Sequence, residues 1–356
     1  MNGMYRAVQK KSRWGRIFSS RLFFAAKLAP LLLLAIAAFP SAVGAQEYPP
    51  LNEPIKIEQV PGEPIYFTVG HSGVPSQANQ GHTSNAGFVI TKHGVVVFDA
   101  LGTPSLGWAL LQEIRKRTKE PIRYNVLSHY HADHIYGLQA FRDHTDTIII
   151  AQDRARDYKE ENEETNEEHS QQRLDQRREA LAPWVNKDTH VVPPDITFAD
   201  RMTLSLGDRT FQMIYAGAAH SASDMMMMVE PEGVLFAGDI VQNGRIPFMN
   251  ADDVDTKQWL RALGEVEKLH PKFVIPGHGR PSTAVKEAIA FTRGYIAFVR
   301  SAMSAAVDSW TDFDVAYRST DWSKYEKMPA FAANNRGNAY RIYIELEGSQ
   351  FNAPKQ

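Results

Sequence analysis

The stretch Ser128-His129-Tyr130-His131-Ala132-Asp133-His134 places three imidazoles and a carboxylate directly after the apolar run IRYNVL. Such groups bind divalent metal ions, neutral imidazole holding zinc at about 2.0–2.1 Å and carboxylate at a similar distance. In an extended segment, side chains two apart share a side. That spacing aims His129, His131 and Asp133 at one point and turns His134 toward a neighbouring one. On a helix His129 and His131 would diverge, so the spacing predicts a loop at a strand end. Ligands aimed at two adjacent points suit two adjacent ions. The remaining donors stand at the ends of later strand-like runs: His220 after TFQMIYAG, Asp239 after GVLFAG and His278 after KFVIPG. Each follows a small residue, in AGAAH, AGD and PGH, where the backbone can come close to an ion.

Other groups carry less chemistry. Asp99, at the end of VVVFDA, either supports the ligands by hydrogen bonding or caps a strand end. His82 is a candidate for the pocket lining, whereas His71, His93, His144, His169, His190 and His270 read as surface or turn residues. The run Met225–Met228 offers soft thioethers that could hold copper. Consecutive residues of a strand alternate faces, however, and a strand covered on both faces buries all four as core. The chain has no cysteine, so any metal site must use histidine and oxygen ligands.

The elements that must position these residues follow from the apolar pattern. IYFTVG, AGFVIT and VVVFDA read as strands, the last two joined by a Lys92-His93-Gly94 turn in which Gly94 can take positive φ. Thr103 and Pro104 mark the start of a helix whose buried face includes Trp108, Leu111 and Ile114. IRYNVLS and DTIIIA are strands on either side of the histidine-rich loop, in which a helix also starts. Residues 152–182 are dominated by charge and predict a solvated helical insertion, either a lid or a docking arm. Further strands follow (VVPPDITFA, MTLSLG, TFQMIYAG, MMMMVE, GVLFAGD), then an amphipathic helix in TKQWLRALGEVEKLH and the short strand FVIPG. Ser282 is placed to cap a long helical region ending near Ser309, and NAYRIYIELEG forms a last helix. This order fits an α/β protein in layers, αββα among other arrangements.

The first 45 residues hold seven Lys and Arg and no Asp or Glu, then FFAAKLAPLLLLAIAAF and the small-residue end SAVGA. They read as a secretory signal cut after Ala45, which predicts a periplasmic or secreted protein. A retained membrane anchor is a second reading, and Lys27 and Pro30 interrupt the apolar run it needs; a mislabelled start of a cytoplasmic protein is a third. Without that segment, 32 basic side chains face 41 acidic ones, a formal charge of −9. No long basic stripe remains to bind nucleic acid, and no later run is long enough to span a bilayer. The expected partner is a small-molecule substrate; the oligomeric state is not legible. The organisation expected is a signal peptide at 1–45, an extended segment at 46–63, a catalytic domain at 64–285 containing the 152–182 insertion, and a helical extension at 286–356.

Taken in order, HxHxDH, the glycine-linked His220, the AGD turn and PGH strongly resemble the metallo-β-lactamase superfamily, over about Ile65 to Ser282. SNAGFVIT and GVVVFDA are similar to its first strands. The resemblance implies a four-layer αββα sandwich, with His129, His131 and His220 on one metal and Asp133, His134 and His278 on a second, Asp239 bridging them. It also implies two zinc ions, with iron or manganese as other possibilities, and hydrolysis by a metal-bound hydroxide that Asp133 orients or deprotonates. The expected bond is of carbonyl type: a thioester, lactam or lactone. His134 with Asp239 resembles the ligand pattern of glyoxalase II, whose basic substrate-binding motif is missing here. The export signal, AGDIVQNGRIPF and YRIYIELE loosely resemble exported metallohydrolases near quinoprotein and sulfur-oxidation systems. Three other readings stand beside this one: a true β-lactamase, a single-iron persulfide dioxygenase on the same scaffold, and a non-catalytic scaffold.

Overall fold

The computed structural model describes residues 48–155 and 164–351, apart from the side chains of 164–172 and 351. The signal segment and its cut after Ala45 lie outside the described residues. Among those described, no helix is long and apolar enough to cross a membrane.

Two sheets form the centre. The first has seven strands in chain order: β1 (Ile57–Gln59), β2 (Ile65–Thr68), β3 (Ala86–Thr91), β4 (Gly94–Phe98), β5 (Ile122–Val126), β6 (Ile148–Gln152) and β7 (Ile196–Phe198). The second runs β12 (Phe273–Gly279), β11 (Val234–Asn243), β10 (Met225–Glu230), β9 (Arg209–Tyr215), β8 (Arg201–Leu206). Strands β4 to β7 pair in parallel, as do β11 and β12, so several strands end at the same edge. Gly94 makes the β3–β4 hairpin at φ 141°, a conformation L side chains avoid.

The alternation of side chains assigns each face to a layer. In β4, Val95 and Val97 join the core under helix α1 (Pro104–Arg117), while Val96 and Phe98 point between the sheets. In β10, Met225 and Met227 fill the space between the sheets, and Met226 and Met228 pack under α5 (Thr256–Lys268) and α6 (Val285–Asp308). All four methionines are thus core, as their alternation requires. The outer layers are α1 with α2 (Ala132–Ile135) and α3 (Leu138–His144) on one side. On the other stand α5, α6, α7 (Phe313–Ser319) and α8 (Phe331–Phe351). The result is the expected αββα sandwich, and α6 and α8 share a core with β11 and α5.

Local signals account for the helix ends. Thr103 Oγ1 accepts from Leu106 N at 3.1 Å and caps α1 behind Pro104. Asp255 caps α5 by accepting from Gln258 N at 2.8 Å. The expected cap Ser282 instead sits two residues ahead of Ala284, the true cap position of α6. Its backbone bridges to Val274, and its hydroxyl accepts from Ala284 N.

The charged insertion also departs from expectation. Its helix, α4 (Glu164–Leu181), is anchored in the α1-side core by Leu174 and Leu181, seven residues apart on one face. Arg178 ties it down further, donating to Asn186 O at 2.8 Å and Thr189 O at 2.9 Å. Two leucines in a charged run are a weak pattern, yet two turns of spacing suffice to seat a helix.

Phe236 of β11 is 1% exposed and stacks on Phe98 at 5.1 Å between ring centres, joining the two sheets. Phe236→Ala should therefore cost about 3–5 kcal/mol of stability, read as a lowered urea midpoint with little change in slope.

Candidate metal centre

All seven residues singled out from the sequence meet at one edge of the sandwich. The donor atoms of His129, His131 and His220 lie within 4.8 Å of one another, as do those of Asp133, His134 and His278, and those of His129, His134 and Asp239. Asp239 stands between the first two groups. Its Oδ2 is 3.2 Å from His220 Nε2 and 3.2 Å from His278 Nε2, and its Oδ1 is 3.3 Å from His134 Nε2. Around a tetrahedral ion with bonds of about 2.0–2.1 Å, neighbouring ligand atoms sit roughly 3.3 Å apart. These spacings fit shared coordination better than direct hydrogen bonding.

The local folding differs from the extended reading in one respect. His129 lies in the loop after β5, and His131 is the N-cap of α2, so these two and His220 converge as expected. Asp133 and His134 occupy the first turn of α2, and the helical turn carries Asp133 away from His129 to the group with His134 and His278. The expectation that Asp133 shares a point with His129 and His131 is corrected accordingly. Asp239 falls within β11, where pairing with β12 breaks between Gly238 and Gln242. Gly277 is required beside it: a Cβ there would lie 1.9 Å from Asp239 Oδ1.

Hydrogen bonds orient two of the imidazoles so that one nitrogen of each faces inward. His134 Nδ1 is 2.7 Å from Asp99 Oδ2, and His278 Nδ1 donates to Thr83 O at 2.7 Å, leaving both Nε2 atoms directed at the cluster. Asp99, at φ 60°, also accepts from Ser128 N and Ser128 Oγ at 2.8 Å each. It therefore joins the Ser128 backbone and side chain to the His134 ring. A second clamp was missed in the sequence. Asp253 accepts from the Tyr130 hydroxyl and from Ala222 N, the latter at 2.8 Å, and so ties the loop of His131 to that of His220. Tyr130 lies within the opening motif, but nothing near Asp253 announces its partner. His82 is buried beside Thr68 and His71 and does not line the pocket; burial, then the neighbouring His71, lowers its pKa to about 4.

The residues present fit divalent metal ions. His129 Nε2, His134 Nε2 and Asp239 Oδ1 are buried without a hydrogen bond, and they belong to one of the three donor groups. Leaving three such atoms unsatisfied would be costly, and metal ions at the donor groups would satisfy them. The protonation states agree. Burial, reinforced by neighbouring imidazoles, holds His129 well below the ordinary histidine range and His131 at about 3. Burial also lowers His220 despite Asp239. Burial opposes the charge of Asp239, but His278, His220 and His134 outweigh it and keep the carboxylate ionised; His134 and His278 do the same for Asp133. Neutral imidazole and ionised carboxylate are the ligand forms. His134 is the exception. Burial opposes its charge, yet Asp99, Asp239 and Asp133 raise it well above the ordinary value. In the metal-free protein, its proton supplies the positive charge between the carboxylates.

The centre opens into a cavity of about 610 Å³, whose lining includes Asp133, His278 and Arg245. Residues of α4 and of the segment after β11 complete its walls.

The sequence profile described as "Metallo-beta-lactamase superfamily" matches residues 80–278, more than half the chain. The protein belongs to that superfamily. It is 22% identical over 252 residues to a metallo-beta-lactamase type 2 of Bacteroides fragilis, covering 70% of this chain and 89% of that one. The solved metallo-beta-lactamase of Pontibacter korlensis superposes with a TM-score of 0.51 at 18% identity, over 68% of this chain and 98% of that one. A sec-alkyl sulfatase double mutant superposes at 0.60 and 17% identity, over 85% of this chain and 52% of its own. The chain is accordingly a metal-dependent hydrolase with a candidate His/Asp metal site.

Two outcomes are expected from this geometry. Asp99→Asn keeps a residue that tolerates positive φ but removes the charge behind His134, and should weaken metal binding by about 10–100-fold, measured by competition with a chromogenic chelator. Because the proton on His134 occupies the ligand nitrogen, zinc uptake near neutral pH should release protons and tighten as pH rises, seen by titration in weak buffer.

Proposed function

We propose that the protein is an exported dinuclear zinc metallohydrolase that cleaves a carbonyl-type bond, such as a thioester, lactam or lactone, in a small molecule. The observation that carries this reading is the pair of three-residue donor groups on either side of Asp239. His129, His131 and His220 would hold one ion and Asp133, His134 and His278 the other, with Asp239 shared. When bound, two divalent ions supply Lewis acidity and lower the pKa of water.

The chain's own groups do the rest. Asp239 is nearly sealed from the pocket, with 2% of its side chain exposed, whereas Asp133 shows 17%. Asp133 Oδ2 accepts from Thr83 Oγ1 at 3.3 Å and lies 3.4 Å from His278 Nε2, which leaves Oδ1 for the attacking water. A carboxylate held below its usual range is a weak base, so its main work is to accept a hydrogen bond and aim the water. The lack of any cysteine removes thiol nucleophiles. Export rests on the basic-apolar first 45 residues and places the protein in the periplasm or outside the cell.

Seven donors support two ions rather than one iron held by two histidines and a carboxylate. A β-lactam belongs among the candidate substrates because the match to the Bacteroides fragilis enzyme spans 89% of that protein. The test is a panel of thioester, lactam, lactone and phosphodiester substrates with zinc-loaded protein, beside metal analysis of protein purified without chelator. Turnover of a carbonyl substrate with two zinc per chain is expected; one iron per chain with oxygen uptake on a persulfide would overturn the reading. Asp133→Asn should lower kcat/KM by about 10²–10⁴-fold while leaving the circular dichroism spectrum intact.

A further inference from the structure

Between β11 and α5 the chain runs from Ile246 to Asp255 in neither strand nor helix. This segment serves the centre in two ways. Phe248, Asn250, Ala251 and Asp252 line the cavity, and Asp253 makes the clamp that joins the loop of His131 to that of His220. Irregular backbone has no ladder of its own to satisfy its amides and carbonyls, so their partners must come from elsewhere.

Many of them come from the last helix. Asn334, Asn338, Arg341 and Glu345 of α8 are spaced i, i+4, i+7 and i+11, which is one helical face. Asn334 Nδ2 donates to Ile246 O at 3.2 Å. Asn338 donates to Pro247 O and accepts from Met249 N, both at 2.7 Å. Glu345 accepts from Thr256 N at 3.3 Å and from Thr256 Oγ1 at 2.7 Å, just past the segment. Gly337 permits the close approach, since a Cβ there would lie 3.1 Å from the Asn250 side chain.

Arg341 holds the most telling position. Its Nε donates to Ala251 O at 3.0 Å, and its Nη2 to Asp252 O at 2.9 Å and Val254 O at 3.1 Å. These carbonyls lie on both sides of Asp253, so a rigid planar fork fixes the backbone that carries the clamp. From there the Asp253 carboxylate reaches Tyr130, between His129 and His131, and Ala222, two residues after His220. The other donor group is held by different partners: His134 by Asp99, and His278 and Asp133 by Thr83.

We propose that Arg341 is a positioning residue of the metal centre. Through Asp253 it sets the geometry, and so the affinity, of the His129, His131 and His220 group, and it leaves the Asp133, His134 and His278 group alone. The inference rests on the two-ion reading and gives the C-terminal helical extension a part in it. Ligands held in place beforehand bind an ion more tightly, because less ordering remains to be done on binding.

The test measures zinc affinities of the full chain by competition with a chromogenic chelator. Cadmium NMR tells the all-histidine group from the one containing Asp133. Arg341→Met keeps the length of the side chain and removes its donors. It should weaken the ion on the three histidines by about tenfold or more, the scale on which partners behind the ligands act, and leave the other ion unchanged. Asp253→Ala should weaken the same ion. Arg341→Met/Asp253→Ala should bind it no worse than Asp253→Ala, since a group acting through another adds nothing once that other is gone. Arg341→Lys keeps the charge without the fork and should recover part of the loss, which also keeps the test open if the methionine variant fails to fold. Glu345→Gln, on the same face but past the clamp, should change neither affinity. Equal weakening of both ions, additive losses in the double variant, or the same loss in Glu345→Gln overturns the proposal. A wild-type chain with a single ion on the three histidines sinks the dinuclear reading alone, and Arg341→Met then decides the relay on that ion. A single ion on the other group sinks both.

Discussion

The structure turns on a charge balance in a place from which water is largely excluded. Five imidazoles and two carboxylates converge at the strand ends, and five of the seven side chains have no more than a sliver of surface. Burying a carboxylate costs several kcal/mol unless positive charge lies beside it. Asp239 and Asp133 obtain that charge from imidazoles in the metal-free protein and would obtain far more from divalent ions. Three imidazoles kept neutral by burial and one kept charged by carboxylates are two faces of the same arrangement. A cluster so placed is unfavourable as a purely structural feature and becomes favourable as a receptor for cations.

The sandwich exists, in this sense, to bring those strand ends together. The core between the sheets, with Phe98 against Phe236 and the inward methionines of β10, sets the spacing of β5, β9, β11 and β12. The ligands then need only short extensions: a loop of a few residues to His129 and His131, the AGAAH turn to His220, an interrupted pairing at Asp239 and a strand end at His278. Asp99 and the Thr83 carbonyl fix the rings from behind, so the positions of the inward nitrogens are set before any ion arrives. Preorganisation of this kind lowers the cost of ordering the ligands on binding.

Much of this was legible in the chain. The ligand types, the small residues beside Asp239 and His278, the Thr103 cap and the two-faced burial of β10 all follow from residue type and periodicity. What escaped the sequence has physical causes. A helix start is legible in the loop, but not that Asp133 already lies in its first turn, because four residues are too few to show a period. The Tyr130–Asp253 clamp joins residues 123 apart, a distance no local pattern encodes. In α4 the charge of its neighbours masks the two leucines that seat it. Arg245 is one basic residue in a loop, and only the fold shows that it is buried on the Ser72 and Gly73 carbonyls and Gln242.

The two walls of the cavity divide the work accordingly. The metal-facing wall is made of strand ends locked into the sheets, where a displacement of any donor would disturb the core behind it. The opposite wall is a helix held by two leucines and one arginine, together with the segment after β11, and the side chains that line it can vary without moving a ligand.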